Sequence, residues 1–233
     1  MFEKRNFAFL NKMAHVHSEL VQASSLHPKI STFIDLKNTI NNTESCQLDI
    51  IYVLPPSVFV DPYQLNDLEE SLGKATIFGE HDLELPLEKI KETRGSIVFL
   101  RQNPTQSKWQ LELPLHLRYQ QPSVNTDNQP ITIESPYAGW TCGNDKALWP
   151  PLSNQYSLLP SIQTGSASFI KLSSNPATLE LAVPIGKVQD APIVTYGTFG
   201  VVLFCTFWII YSVILSIKKR RRTEAKGKRR KSE

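Results

Sequence analysis

Histidines and acidic clusters are where chemistry would first be sought in this chain. His15 and His17 are spaced i,i+2. On a helix that spacing sends the two rings to different sides, which is a poor start for a shared metal. Glu80-His81-Asp82 has the residue types of a metal site or an acid–base pair, but such a charged run reads as an exposed turn. Asp67, Glu69 and Glu70 read likewise, as a solvated acidic face. The chain has no Gly-rich phosphate loop, no Gly-x-Ser-x-Gly elbow, no His-Glu-x-x-His pair and no Asp-x-Asp nucleotide-sugar motif. The expectation is therefore a protein that is not itself an enzyme and has no catalytic, cofactor-binding or metal residues.

Three cysteines are present. Cys205 lies in a long apolar run and reads as a packing residue. Cys46 and Cys142 would form one disulfide in an oxidising compartment; two buried thiols fit the sequence equally well. Asn41-Asn42-Thr43 is the N-glycosylation sequon, in a polar, turn-like stretch that suits Asn41 as an acceptor.

The elements that must position these residues are mainly strands. Runs with alternation or β-branched enrichment cover Ile30 to Leu36, Leu48 to Leu54, Ser96 to Arg101, Trp109 to Tyr119, Ile131 to Glu134 and Thr178 to Ile185. Turn-rich stretches separate them, the longest an irregular one from Pro136 to Gln163. Over Asn6 to Gln22, residues Leu10, Met13, Ala14, His17, Leu20 and Val21 share one face of a helix, so residues 1–26 are read as an N-terminal segment with helical potential. The fold expected for residues 27–190 is an antiparallel β-sandwich.

From Ile193 to Ile217 no residue is charged. As a helix this stretch would span roughly 37 Å, against a hydrocarbon core of about 30 Å. Residues 193–217 are therefore expected to cross a membrane once, with residues 218–233 as a basic tail. That tail holds ten Lys/Arg and two carboxylates, a net +8, so the rest of a chain of net charge +3 carries −5. An acidic main domain argues against a nucleic-acid partner. Cationic flanks stay cytosolic, so the tail is expected in the cytosol and the large domain in a lumen. Residues Met1 to Ser25 contain no continuous apolar run of signal-peptide length. Either the anchor directs insertion, or a leader lies upstream of this start.

Three segments carry a resemblance. Leu54-Pro55-Pro56-Ser57-Val58-Phe59-Val60-Asp61-Pro62-Tyr63-Gln64-Leu65 resembles the signature of the PIG-X family. Leu113-Pro114-Leu115-His116-Leu117-Arg118-Tyr119-Gln120-Gln121-Pro122 is similar to its second block, and Leu181-Ala182-Val183-Pro184-Ile185-Gly186 to its third. The resemblance covers about residues 27–217 and marks Asp61, Pro62, Tyr63, His116, Arg118, Tyr119 and Pro122. It implies a single-pass endoplasmic-reticulum protein, the non-catalytic subunit that stabilises the multi-span enzyme adding the first mannose to the glycosylphosphatidylinositol (GPI) precursor. The other function class is a general lumenal folding factor. Residue by residue, Asp61 can bond nearby backbone N–H groups and Pro62 fixes φ, forming a corner after a Val58-Phe59-Val60 strand. His116 and Arg118 share a strand face opposite Leu117, free either to meet a partner's carboxylate or to bond inside the sandwich.

Overall fold

The computed structural model describes residues 15–36, 46–80, 82–91, 93–102, 106–142, 168–175 and 178–230. The chain divides into two units, Met1–Gln121 with Thr126–Ile185, and Pro122–Asn125 with Gly186–Glu233.

The first unit runs through β1 (His15–Val21), β2 (Lys29–Asp35), β3 (Cys46–Leu54), β4 (Val58–Phe59), α1 (Pro62–Asp67), α2 (Glu69–Leu72) and β5 (Lys74–Gly79). It continues with β6 (Ser96–Gln102), β7 (Lys108–Pro114), β8 (His116–Leu117), β9 (Asn128–Glu134), β10 (Tyr137–Cys142), β11 (Ser168–Lys171), β12 (Ser173–Asn175) and β13 (Thr178–Pro184). One sheet has the order β12-β1-β2-β7 and a second β11-β10-β3-β6-β5; β13 pairs with β9, and β4 with β8. The β1–β12 pairing is parallel and the others are antiparallel.

Period-2 alternation puts one apolar row of each sheet into a shared core. Val16, Ile30, Ile34, Leu111 and Leu113 come from the first sheet; Leu48, Ile50, Tyr52, Val98, Leu100 and Trp140 come from the second. Ile131, Ile133, Leu179, Leu181 and Val183 of the β9–β13 pair join them. A polar bridge crosses this core: the Tyr52 hydroxyl donates to Thr32 Oγ1 at 2.9 Å, and the Ser18 hydroxyl lies 3.2 Å from the same oxygen. Burial pushes the Tyr52 phenol far above its usual pKa, so it stays a neutral donor.

The second sheet is buried on its other face as well. Asp49, Ile51, Ile97 and Phe99 are all fully buried there. Asp49 receives a bidentate contact from Arg101, with Nε at 2.7 Å and Nη2 at 2.8 Å, and a hydrogen bond from the Thr141 hydroxyl. Cys46 and Cys142 stand opposite each other in the β3–β10 register and are joined by a disulfide.

Three expectations are corrected. His15–Val21, placed in a helix above, is strand β1, paired residue for residue with Lys29–Asp35. Val16 and Ser18 point inward while His15, His17 and Glu19 are exposed, so the segment fits a period of two as well as a helical face, and cross-strand pairing decides. The two histidines thus share a face instead of diverging. Residues 6–14 of the expected helix lie outside the described residues, as do Asn41 and His81. The stretch read as irregular from Pro136 contains β10, a strand held between two neighbours. The run Trp109 to Tyr119 divides into β7 and β8 at Leu115, whose N–H leaves the sheet to bond the Pro28 carbonyl at 2.9 Å.

The second unit is a short 3-10 turn, Val188–Asp190, leading into α3 (Ala191–Arg230), a helix of 40 residues. Its most apolar 18-residue stretch has mean hydropathy 2.3, and the helix is long and apolar enough to cross a membrane. Its apolar side chains are exposed, Phe204, Phe207 and Trp208 among them. The expected span 193–217 lies inside this helix. The basic segment, separated from it at 218 on charge alone, continues the same helix, with Arg220 Nε 3.1 Å from Glu224 Oε1.

Candidate functional site

Of the residues singled out in sequence, those of the first two blocks converge. The blocks are brought together by β4 and β8, in which Val58 pairs with Leu117 and Phe59 with His116. The Arg118 N–H extends the pairing by donating to the Ser57 carbonyl at 2.9 Å. Gly95, with φ +87°, sits so close beneath the Leu54 carbonyl that a Cβ there would collide with it, which fixes the entry to the first block.

Asp61 caps α1. Its side chain accepts from the Tyr63 N–H at 2.8 Å, and Pro62 occupies the first helical turn, where a missing N–H costs nothing. The corner expected from Asp61-Pro62-Tyr63 is thus also a helix start. From α1, Gln64 reaches back to β8, its Oε1 lying 3.0 Å from His116 Nε2. With Nε2–H donating there, neutral His116 presents a lone pair at Nδ1, to which His27 Nδ1–H donates at 2.9 Å. The His116 ring also stacks on Phe59, with centroids 5.2 Å apart.

Arg118 is 2% exposed. Its guanidinium carbon lies 4.6 Å from the centroid of Phe59, and Nη1 donates to the Leu85 carbonyl at 2.8 Å. This contact lies inside the domain, while Nε and Nη2 of Arg118 are buried without a hydrogen-bond partner among the described residues. Burial pulls this guanidinium below its ordinary pKa while the carboxylates of Glu80 and Asp82 oppose the shift. The segment supplying Leu85 is tied down further where the Leu87 N–H meets the Tyr119 carbonyl at 3.2 Å and the Gln121 amide donates to Glu88 at 3.1 Å.

Tyr63 and Tyr119 are each 77% exposed, so the motif tyrosines face solvent, while Arg118 is buried and Asp61 and His116 are half-buried. Pro122 belongs to the second unit, beside Gly186 of the third block. Sequence inspection missed His27, Gln64 and the Leu85 carbonyl; Gln64, one turn into a helix capped by Asp61, carried the only local signal. It also missed the Asp49–Arg101–Thr141 cluster. Among the described residues, no group of three or more His, Cys, Asp or Glu side chains is arranged to hold a metal.

Burial lowers the pKa of His116 from its ordinary 6.5, and the neighbouring His27 lowers it further, against a smaller opposing pull from Asp61. The unfolded chain therefore binds the proton first as pH falls. The contribution of His116 to stability is full above about 6.5 and is lost as pH drops through that value and below it. Protonation would also place an N–H at Nδ1 against the His27 donor. We expect the unfolding midpoint of the full chain in detergent to fall between pH 7.5 and 5.5. In His116→Asn the slope should shrink; an unchanged slope would assign the acid sensitivity elsewhere.

Fold and site together define a β-sandwich protein with one membrane-length helix, whose motif residues serve to cap, stack and clamp. The chain belongs to the PIG-X / PBN1 family, whose model matches residues 23–214. It is 29% identical over 195 residues to protein pbn1 of Schizosaccharomyces pombe, covering 79% of this chain and 55% of that protein. It is 31% identical over 217 residues to PBN1 of Debaryomyces hansenii, covering 88% and 45% respectively. A human protein named GPI alpha-1,4-mannosyltransferase I, stabilizing subunit, is 23% identical over 199 residues, covering 83% of this chain and 77% of its own length. The chain spans about half the length of these two fungal relatives.

Proposed function

We propose that this protein is a non-catalytic stabilising subunit of GPI mannosyltransferase I in the endoplasmic-reticulum membrane, required for adding the first mannose to the GPI precursor. Family membership over residues 23–214 carries this reading, together with the human relative's name. The site agrees with it. Asp61 is engaged in capping, His116 in the Gln64–His27 relay and Arg118 beneath Leu85. A single helix cannot enclose a lipid-linked sugar donor, so the chemistry belongs to a many-helix partner that this chain supports. The cationic end of α3 stays in the cytosol and the sandwich lies in the lumen, where Asn41 can be glycosylated and the Cys46–Cys142 bond persists.

Cells lacking this chain should lose first-mannose transfer and most of the catalytic subunit, and re-expression should restore both. Normal transfer in those cells overturns the proposal. Protease protection of the sandwich in sealed microsomes, with a glycosidase-sensitive shift lost in Asn41→Gln, tests the orientation separately.

A further inference from the structure

The two sheets treat their edges differently. Strand β7 closes the first sheet with exposed Lys108 and Glu112 and ends in Pro114, features that discourage another strand from adding. Among the described residues, strand β5 closes the second sheet and pairs only with β6. It has no proline, and its one charge is Lys74 at its start. In an antiparallel pair alternate residues turn N–H and C=O away from the partner strand. Along Lys74–Ile77 no described group takes these up.

A groove of about 420 Å³ runs beside this strand, lined by Pro62, Leu65, Asn66 and Glu69 on the helical side and by Lys74 to Ile77 on the other. It is built in advance. Leu65 and Leu72 anchor α1 and α2 in the core at 1% exposure each, and the buried Gln102 amide donates to the Leu72 carbonyl at the end of α2. The floor, with Leu65, Ala75 and Ile77, is apolar. The rim carries Glu69 on the helical side and Lys74 on the strand; Asp67 and Glu70 are exposed on the same helices, and among the described residues the three carboxylates form no ion pair.

We propose that the open edge of β5 receives an extended, Lys- or Arg-bearing segment of the catalytic partner as a further strand of this sheet. Main-chain hydrogen bonds to β5 hold the segment, the groove takes its apolar side chains, and the three carboxylates select its cation. A second copy of this chain fits poorly, because its β5 would bring the same carboxylates against the first. The choice of partner rests on the proposed function; the edge, groove and charge do not.

The test uses the full chain in microsomes with an epitope-tagged catalytic subunit. A photo-crosslinking residue is placed at Thr76 in β5, at Asn66 in α1, or at Phe204 in α3 for comparison. Adducts with the catalytic subunit from Thr76 and Asn66 are expected. An adduct from Phe204 alone overturns the groove assignment and leaves the subunit reading standing. An adduct between two copies of this chain at Thr76 overturns it in favour of self-association. No adduct anywhere, with no co-isolation, fails both proposals together. Separately, Glu69→Lys/Glu70→Lys alters only exposed side chains and should cut recovery of the catalytic subunit about tenfold. Unchanged recovery overturns the role of the rim.

Discussion

Replacing Arg101 with methionine should destabilise the sandwich by about 3–5 kcal/mol. Asp49 is fully buried, and the Arg101 side chain is 12% exposed, so the pair is screened from solvent on both sides. Removing the guanidinium leaves a carboxylate in the interior with only the Thr141 hydroxyl as a described side-chain donor. Water cannot replace the lost partner without opening the sheet, so nearly the whole desolvation penalty falls on the folded state. Asp49→Leu removes the carboxylate that the Arg101 guanidinium meets at 2.7 and 2.8 Å and should cost a similar amount. The double variant Asp49→Leu/Arg101→Met removes both charges and should recover most of the loss. Urea unfolding of the four proteins in detergent gives the coupling. Single variants within about 1 kcal/mol of wild type would show that the pair carries little.

Breaking the Cys46–Cys142 bond is expected to have an effect of the same order. The two cysteines are 96 residues apart, and a closed loop near 100 residues restricts the unfolded chain by about 4.7 kcal/mol in the chain-entropy model. The bond links β3 to β10, the strands that carry Asp49 and Thr141, so it also pins the sheet where the charge is buried. Cys46→Ala, Cys142→Ala and the double variant should lower the unfolding midpoint by equal amounts, since each breaks the same single bond. Unequal losses would mean that the thiols contribute through packing instead. Alkylation of both residues without reductant would show that they are not bonded in the protein as isolated.

The strands with clean alternation were legible from residues alone. Trp109-Gln110-Leu111-Glu112-Leu113 and Thr178-Leu179-Glu180-Leu181 alternate because only one face meets the core, and β7 and β13 contain them. His15–Val21 was ambiguous because apolar residues at positions 16 and 20 satisfy both periods, and the partner that chooses between them lies in β2. Strand β5 gave no signal: Lys-Ala-Thr-Ile-Phe-Gly is half-buried, and half-burial at a sheet edge leaves no pattern. The chemistry of the site was partly legible. Asp61 before Pro62 announces a helix cap by local rules. The contacts of His116 with His27 and Gln64, and of Asp49 with Arg101, join residues 52 or 89 positions apart, which no local pattern encodes.

The continuity of α3 through its basic end has a mechanical consequence. Lys218 to Arg222 are consecutive residues of one helix, so at about 100° each their side chains point to every side of the rod. A helix that rests on lipid needs a greasy stripe to lie on, and this ring of cations leaves none. In the proposed membrane-spanning arrangement, Lys218 to Arg230 leave the bilayer as a continuation of the same rod, roughly 20 Å long. Any tilting of the apolar part would carry the tip of that rod with it.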